Sequence, residues 1–555
     1  MKKKLAIIGC GSSGLITLKY ALEELSDWQV VAYEATSCIT GCWGRQPSGF
    51  VSTSTKYTTQ FACYPLYDAR VHRNLSANAQ TGRYPDFFCD GQYGVYLEEF
   101  AAKFGLMPHI RLRTSVSHVE QNQEGKWILR LSCAQDDQGP DGTLIVKDTA
   151  EFDAVVVCTG LADSPKPIDS PVPVLSRLDR SDSIRNQKIV VIGGGESAVD
   201  VARRLAEPSR SNQVWLSVRT GMRVSPRYHP IRGVPSDFLR NRLLMSFDAG
   251  LRNTIGQRFV EFRMRCERLL NWLFPANRHL RDSSLDETHK LRNRWSWLLT
   301  QSAKDSLFNM YHNKSDDFLE DVAQRRIRIV GGNSNPSYCN YFHFGSKDVL
   351  SVDPDLIIPA IGYRSKLQEL TLGKAELKDF YMGVRHIRFD GLFAVGMTRP
   401  IIGNIPSISE IQAYYLVGQL SGRFAAPLDI ESRHRRNRTE LEHRFANLDT
   451  SNVYPVEMFP YCDQLAREMG CFPSLANLRS PLRYFRTMLS PATTMHYFHD
   501  RPMPSDTAPI HTPHLLTALL LLLKPLDYVV RWTRRTGRYP PPPLISLTTN
   551  KAVKH

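Results

Sequence analysis

The sequence has no hydrophobic run long enough to cross a lipid bilayer. Its longest run extends from Leu515 to Leu523 and is interrupted by Thr517, whereas a spanning helix needs about 20 apolar residues. This absence excludes a polytopic membrane protein. The first eight residues resemble the start of an export signal, but glycines at positions 9, 11 and 14 end the apolar stretch early, so we predict a strand there instead.

Closely spaced cysteines are also missing. The 555 residues include 11 cysteines, without the dense spacing of secreted, disulfide-rich domains. This pattern favours a reducing compartment and predicts a cytoplasmic protein. Hydrophobic residues make up 42% of the chain and charged residues 23%, which excludes wholesale disorder and a fibrous character.

Clusters of metal ligands or acid–base groups are not evident. His496 and His499, and likewise His511 and His514, are spaced three apart without further ligands, so we interpret them as surface residues and predict no metal site. Acidic residues are outnumbered, with 55 against 70 Lys/Arg and a net charge of +15. Such a field attracts anions, for example a phosphorylated cofactor, an acidic lipid surface or nucleic acid, although a solvated helical surface explains most of the arginines better.

The sequence does contain a glycine-rich turn between a strand and a helix. The turn after Leu5–Ile8 consists of Gly9, Cys10, Gly11, Ser12, Ser13 and Gly14. In this dinucleotide fingerprint Gly9 permits the tight turn, Gly11 lets the backbone approach a pyrophosphate, and Gly14 packs the helix on the strand. The second strand ends at Glu34, whose carboxylate can accept hydrogen bonds from ribose hydroxyls but repels a 2′-phosphate. The first site should therefore hold FAD or NAD.

A second fingerprint extends from 188 to 219. Its turn carries Gly193, Gly195, Ser197 and Ala198, and its second strand ends in Ser217, Val218, Arg219 and Thr220. A guanidinium thus replaces the carboxylate of the first copy, which predicts a preference for NADPH because arginine accommodates a 2′-phosphate. Arg223 and Arg227 are candidates to assist Arg219.

Two further apolar stretches, 152–160 and 355–363, each predict a buried strand that runs into a turn of small residues. We therefore expect an α/β fold with two Rossmann-like dinucleotide-binding domains, the NADPH domain inserted in the FAD domain, and a C-terminal tail. The expected boundaries are 1–165 for the first part of the FAD domain, 166–335 for the NADPH domain with a helical insertion, 336–450 for the second part of the FAD domain, and 451–555 for a C-terminal extension. The extension, with its leucines, arginines and Pro540 to Pro543, should be partly irregular and interfacial.

These features resemble the flavin-containing monooxygenases of the dimethylaniline N-oxide-forming type. The resemblance runs from residue 1 to about 425. Besides the two fingerprints, it is carried by Gly41-Cys42-Trp43, residues 56–65, Ala360 to Tyr363, and the stretch from Arg399-Pro400 through Ile405-Pro406 to Glu410-Ile411-Gln412-Ala413. Many flavoproteins share two glycine fingerprints, whereas the Gly-Cys-Trp turn and the last stretch make the resemblance more specific.

The resemblance implies a site and a reaction. Glu34 would hold the FAD ribose, Cys42 and Trp43 would line the flavin, and Arg399 and Gln412 would lie near both cofactors. The implied reaction is hydride transfer from NADPH to FAD, formation of a C4a-hydroperoxyflavin with O2, and attack on its distal oxygen by a soft nucleophile. The nucleophile would be the nitrogen of a tertiary amine or the sulfur of a thioether.

The sequence departs from this family at three points. Pro171 to Asp182 lacks the family's Phe-x-Gly-x-x-x-His element, and Ile361 replaces a threonine in its Ala-Thr-Gly-Tyr motif. Thr53 or Ser54 stands where the family has an asparagine beside the flavin. These two residues are our candidate catalytic residues, and the shorter side chain predicts weaker retention of NADP⁺ and greater leakage of hydrogen peroxide.

Other classes fit part of the pattern. A disulfide reductase is disfavoured because three residues separate Cys38 from Cys42, where that class has four. A Baeyer–Villiger monooxygenase, which attacks carbonyl groups, and a non-catalytic FAD- and NADP-binding protein stay open. We expect a small-molecule substrate and O2 as partners and no nucleic acid. Peripheral membrane contact through residues 515–538 and homodimer formation also stay open.

Overall fold

The structure is a computed structural model of the whole chain. The residues it describes are 2–46, 49–67, 83–133, 148–162, 164–176, 183–229, 233–266, 287–303, 311–446, 448, 450, 453–491, 493–498 and 514–535. The chain divides into two compact units: Met1–Ser164 with Tyr363–His511, and Pro165–Gly362 with Thr512–His555. The proline run at 540–543, His499 and His511 lie outside the described residues.

The first pass of the chain through the first unit contains nine strands and three α-helices in the described ranges. Its strands are β1 (Lys3–Ile8), β2 (Trp28–Tyr33), β3 (Val51–Thr55), β4 (Phe87–Cys89), β5 (Ile110–Arg111), β6 (Thr114–Gln121), β7 (Trp127–Cys133), β8 (Asp148–Phe152) and β9 (Ala154–Val157). Its helices are α1 (Ser12–Glu24), α2 (Lys56–Thr59) and α3 (Gln92–Lys103).

The second unit begins at Pro165, the second residue of the short strand β10 (Ser164–Pro165). Its strands are β11 (Lys188–Ile192), β12 (Gln213–Ser217), β13 (Arg223–Ser225), β14 (His312–Lys314), β15 (Ile327–Asn333), β16 (Asn340–His343), β17 (Val349–Ser351) and β18 (Leu356–Pro359). Its helices are α4 (Glu196–Leu205), α5 (Arg242–Met245), α6 (Ala249–Arg265), α7 (Glu287–Gln301) and α8 (Phe318–Ala323).

The chain then returns to the first unit and ends with a helix of the second. The strands of this return are β19 (Tyr363–Arg364), β20 (Phe380–Tyr381), β21 (Arg385–His386), β22 (Leu392–Ala394), β23 (Thr398–Ile402) and β24 (Tyr454–Glu457). The helices are α9 (Lys366–Leu370), α10 (Ile405–Leu420), α11 (Ile430–Arg444), α12 (Met458–Glu468), α13 (Leu475–Leu478), α14 (Pro481–Leu489) and finally α15 (His514–Arg535).

The main sheet of the first unit has the order β20-β21-β22-β9-β1-β2-β5. β1 lies between β2 and β9 and is parallel to both. Residues 5–8 and 154–157 are buried without interruption, because a parallel strand covered on both faces needs a continuous apolar run. The carboxyl ends of these three strands therefore meet at one edge of the sheet, where the first glycine turn and Glu34 lie.

The second unit repeats this arrangement. Its sheet has the order β17-β16-β15-β12-β11-β18, and β11 lies between β12 and β18, parallel to both. The apolar face of α4, with Val199 and Ala202, packs against Ile189, Val191 and Leu216 in one buried core. The predicted α/β fold with two Rossmann-like folds is thereby confirmed.

The limits of the two units differ from the predicted boundaries. β18 pairs with β11, and β15 to β17 extend the same sheet, so the return to the first unit falls at Tyr363 and not at 336. Residues 453–498 belong to the first unit, where β24 pairs with β23. Only α15 joins the second unit. The segment 451–555 is therefore divided between the two units. The expectation that it forms one separate extension was wrong in this respect.

Candidate functional site

The first glycine turn leads directly into α1. Gly11 is the N-cap residue, no side chain caps the helix, and the first hydrogen bond of the helix runs from the Leu15 N–H to the Gly11 carbonyl (3.0 Å). The amides of residues 12–14 therefore precede the helical hydrogen-bond ladder, and the helix N-terminus presents a positive field to an anion such as a pyrophosphate.

Close contacts explain the glycines of this turn. Gly9 has a φ of 95°, and a Cβ there would lie 2.8 Å from the Cys158 carbonyl oxygen. A Cβ on Gly14 would lie 1.8 Å from the Gly9 carbonyl oxygen, so helix and strand can approach this closely only with glycine. Gly11 is less confined: among the described residues, its Cβ would meet Gly41 alone, at 3.5 Å or more. The Gly41-Cys42-Trp43 turn is thus brought to the first glycine turn.

Glu34 is fixed at the end of β2 by three hydrogen bonds. The Cys10 N–H donates to Oε2 (2.8 Å), while the N–H and hydroxyl of Thr36 donate to Oε1 (2.9 and 2.8 Å). The side chain is 8% exposed. Carboxylate oxygens each accept more than one hydrogen bond, so this orientation fits a ribose. Thr36 is a supporting residue that sequence reasoning missed, although its place two residues after the acid is a usable signal.

Aromatic rings surround Trp43. Its ring lies 4.6 Å from that of Tyr93 and 6.0 Å from that of Phe50, both in edge contacts. Cys42, on the same 3₁₀ turn (Gly41–Arg45), is exposed. Burial, followed by the charge of Glu410, raises the pKa of Tyr93 well above its usual value. The phenol therefore stays neutral and forms part of an apolar wall.

The candidate catalytic residues Thr53 and Ser54 lie on β3, which pairs antiparallel with β4. Both are half-buried. The strand is anchored by Ser52, whose hydroxyl donates to the Ser54 carbonyl (2.7 Å) and accepts from the Phe88 N–H (3.0 Å). Successive side chains of a strand point to opposite faces, so at most one of Thr53 and Ser54 can face a ligand on a given side of β3.

Glu410 and Gln412 on α10 are completely buried. The Glu410 carboxylate accepts from the N–H groups of Ala62 (2.7 Å) and Cys63 (3.1 Å) and from the Thr494 hydroxyl (2.8 Å). It therefore holds the loop that follows α2 to α10. Sequence reasoning quoted Glu410 only as part of a motif and missed this function.

Gln412 acts on the backbone near the first turn. Its Oε1 accepts from the Gly396 N–H (2.9 Å) and its amide donates to the Tyr461 hydroxyl (2.7 Å). A Cβ on Gly396 would lie 1.9 Å from the Ser13 hydroxyl oxygen. Gln412 thus holds the Gly396 backbone, which packs closely against Ser13 and so supports the first glycine turn. Arg399 is half-buried on β23.

Burial also shifts the pKa of two groups close to the first turn and β3. It raises the pKa of the Cys10 thiol, and the charge of Glu34 adds to this effect. It lowers the pKa of the Lys56 ammonium at the start of α2. This environment favours the neutral thiol of Cys10 over the thiolate that nucleophilic attack requires.

The second glycine turn has the same design. Gly195 is the N-cap of α4 without a side-chain cap, and a Cβ on Gly193 would lie 2.4 Å from the Ala360 carbonyl oxygen. Ala198, at the third position, is fully buried and would contact that same Cβ at 3.4 Å. Here the helix lies far enough from the strand for a methyl group.

The residues at the end of β12 divide into a buried and a surface pair. Ser217 and Val218 are buried, and the Ser217 hydroxyl donates to the Gly331 carbonyl (2.7 Å). Arg219 is exposed and, within the described part of the chain, makes no hydrogen bond or ion pair, while Thr220 is half-buried. A phosphate could therefore reach Arg219 without breaking an existing contact.

Arg227 does not share this position. It is 3% exposed, its guanidinium lies 3.6 Å from the Asp316 carboxylate, and its N–H donates to the same residue (3.0 Å). The expectation that Arg227 assists Arg219 is therefore wrong, because the side chain is already paired inside the second unit. No group of three or more potential metal ligands occurs among the described residues.

Two dinucleotide folds, one with an acid and one with an arginine at the end of the second strand, are typical of redox enzymes that use two nucleotides. The model of the flavin-binding monooxygenase-like family matches residues 2–292. The chain therefore belongs to this family. It is a flavin-dependent monooxygenase with FAD and NADPH as cofactors.

Individual relatives agree with this assignment. The chain is 24% identical over 528 residues to a 4-hydroxybenzoate brominase (decarboxylating) of Marinomonas mediterranea, with 91% of each chain covered. It is 30% identical over 266 residues to the dimethylaniline monooxygenase (N-oxide-forming) 4 of Mus musculus, covering 44% of this chain and 43% of the relative. The structure of a cyclohexanone monooxygenase from Rhodococcus sp. Phi1 bound to NADP⁺ aligns with a TM-score of 0.54 at 16% identity, covering 84% and 97% of the two chains, and shows the same fold.

Replacing Arg219 with alanine should remove most of the preference for NADPH over NADH. A charge-assisted hydrogen bond to a phosphate contributes about 1.5–3 kcal/mol, or roughly a ten- to hundredfold preference. This preference is measured as the ratio of the rates at which NADPH and NADH reduce the flavin under anaerobic conditions. Lys347→Ala removes an exposed charge elsewhere in the second unit and should leave the preference intact. Equal rates with both nucleotides in the unmutated protein would contradict the assignment.

Proposed function

We propose that this enzyme transfers one oxygen atom from O2 to a soft nucleophile, the nitrogen of a tertiary amine or the sulfur of a thioether. The observation that carries the proposal is the contrast between the ends of β2 and β12: Glu34 is oriented by three hydrogen bonds, whereas Arg219 is exposed and has no partner among the described residues. This contrast supports FAD in the first fold and NADPH in the second, which is the cofactor pair of such oxygenations. The relative named for N-oxide formation supports the substrate class.

The residues of the chain serve to bind and orient the cofactors and to exclude water. When bound, FAD takes electrons from NADPH and activates O2. The amides of residues 12–14 and 196–198 would hold the two pyrophosphates. The Trp43 and Tyr93 rings, together with the loop that Glu410 holds, would form an apolar surface that excludes water from the site. A reaction of this kind needs no acid–base dyad of its own, because a soft nucleophile carries its own lone pair.

A substrate panel tests this proposal. We expect tertiary amines and thioethers to increase NADPH-dependent O2 uptake and to yield N-oxides and sulfoxides, detected by mass spectrometry. The panel includes cyclic ketones for the Baeyer–Villiger alternative, and bromide with 4-hydroxybenzoate because of the relative matched over 91% of its length. Esters or brominated products alone would reject amine or thioether oxygenation. Bound FAD without O2 uptake would favour the non-catalytic alternative.

Of the two candidate catalytic residues, we expect Thr53 to set how much reduced oxygen escapes as hydrogen peroxide. An asparagine side chain offers two donors and a carbonyl where threonine offers one hydroxyl, and one further hydrogen bond is worth about 1 kcal/mol, a several-fold change in a rate. We expect Thr53→Asn to lower the peroxide formed per NADPH consumed several-fold. Ser54→Asn, on the opposite face of β3, is the matched control. If neither variant changes the yield, these residues do not belong to the active site.

We also propose that α15 makes the peripheral membrane contact. The helix docks on the second unit through its polar side: Asp527, almost fully buried, accepts from the Asp248 N–H (2.5 Å), and Arg531 donates to the Ser246 carbonyl (2.7 Å). Its apolar side is therefore left exposed. That side consists of Leu519, Leu521, Leu522, Leu526, Tyr528, Val529 and Trp532, all at least 46% exposed. None of the helices in the described ranges is long and apolar enough to cross a membrane.

Sedimentation with lipid vesicles tests this contact. Leu522, at 78% exposure, and Val529 lie on the same side of α15. Moving either side chain from water into lipid lowers the free energy of the system. The double variant Leu522→Ser, Val529→Ser should bind phosphatidylserine-containing vesicles several-fold more weakly than the unmutated protein, with unchanged flavin content. Leu482→Ser, at an exposed site of α14, is the control. Loss of a dimer, in place of vesicle binding, would assign the face to a second copy. Cytoplasmic location stays a prediction.

A further inference from the structure

Asn313 links strand β14 to the glycine turn of the second unit. It lies on β14, which is parallel to β13 and places Asn313 opposite Val224. Its side-chain amide donates to the Gly194 carbonyl oxygen (2.8 Å), 119 residues away, and lies 3.2 Å from the Met222 sulfur. One side chain therefore contacts both the turn and the segment that follows Arg219.

This hydrogen bond determines the orientation of one peptide group. In a trans peptide, the carbonyl of one residue and the N–H of the next point in opposite directions, and the chain contains no cis peptide among the described residues. Because Asn313 holds the Gly194 oxygen, the Gly195 N–H points away from β14. Gly195 is the N-cap of α4, and a Cβ built on it would meet no heavy atom of the described residues within 4 Å. Its N–H makes no hydrogen bond within the described residues, so it is available to a ligand beside the helix N-terminus.

The burial of Asn313 indicates that stability alone does not account for this residue. Asn313 is 1% exposed, and its side-chain oxygen Oδ1 is buried without a hydrogen-bond partner in the described structure. An unsatisfied buried acceptor destabilises a fold, whereas an apolar residue of the same shape does not carry this cost. The gain from the asparagine must lie in what its amide group positions.

We propose that Asn313 is a positioning residue for the dinucleotide of the second fold. It holds the Gly194–Gly195 peptide so that the Gly195 N–H, together with the first amides of α4, faces the pyrophosphate. The inference rests on the proposed NADPH site. NADPH and NADH share the pyrophosphate, so Asn313 supports the binding of both nucleotides, whereas Arg219 acts on the 2′-phosphate alone.

Asn313→Leu removes the amide at nearly constant volume. We expect the KM for NADPH and for NADH, and the dissociation constant of NADP⁺ measured by titration, to rise about five- to tenfold together. The kcat at saturation, the FAD content and the ratio of NADPH to NADH preference should stay unchanged. The melting temperature should change little, because the lost hydrogen bond to Gly194 is offset by removal of the buried, unpartnered Oδ1. Should Asn313→Leu fold poorly, Asn313→Asp keeps the shape, presents only acceptors to the Gly194 oxygen, and should give the same loss.

Asn212 provides the matched control. Its amide also donates to backbone carbonyls of the second unit, those of Leu205 (3.0 Å) and Ile184 (3.2 Å), but at the far end of α4. Asn212→Leu should lower the melting temperature without changing either KM. Unchanged KM values in a folded Asn313 variant, or a loss confined to NADPH, would overturn the inference. An unaltered preference in Arg219→Ala would instead reject the NADPH site itself, so the two failures are distinguishable.

Discussion

Both nucleotide folds depend on the contact between the first glycine of the turn and the carbonyl oxygen of the residue that follows a neighbouring parallel strand. A Cβ would lie 2.8 Å from that oxygen at Gly9 and 2.4 Å from it at Gly193. The contact brings the carboxyl ends of adjacent strands so close that only backbone fits between them. As a result, each turn presents backbone amide groups, and not side chains, to a ligand. The helix that follows, whose N-cap residue is a glycine, presents its N-terminus in the same place.

The third position of the turn shows that packing distance decides the residue. Gly14 is required because its Cβ would lie 1.8 Å from the Gly9 oxygen, whereas Ala198 is accommodated and fills the core between β11 and α4. The first helix therefore lies closer to its strand than the second does. The first turn is also supported from behind: Gly396 packs on Ser13, and Gln412 holds the Gly396 backbone. The buried Gln412 amide thus supports the backbone on which the turn packs and leaves the first amides of α1 available to a ligand.

Sequence patterns predicted the parts of this structure that are local. Each strand–turn–helix–strand unit spans about 30 residues, so the positions of the glycine turns, of Glu34 after β2 and of Arg219 after β12 could be predicted from spacing alone. Their roles toward a ligand stay predictions. The supporting residues could not, because their partners are distant in the sequence: Glu410 is 348 residues from Ala62, and Asn313 is 119 residues from Gly194. The boundary at Tyr363 escaped prediction for the same reason, since the apolar pattern of β18 is compatible with either sheet and only its pairing with β11 decides.

Glu34 and Arg219, which follow the second strands of the two nucleotide folds, also differ in how far they are oriented before a ligand binds. Glu34 is largely buried and already oriented by the Cys10 and Thr36 groups, so little conformational freedom remains to be lost when a ribose binds, and such preorganisation favours a tightly held nucleotide. Arg219 is exposed and unpaired in the described structure, so its side chain must be ordered by the phosphate that it binds, at an entropic cost that weakens binding. This asymmetry suits a resident FAD and an exchanging NADPH. On the proposed assignment, the turn that would exchange its nucleotide is also the one whose Gly194 carbonyl accepts a hydrogen bond from Asn313.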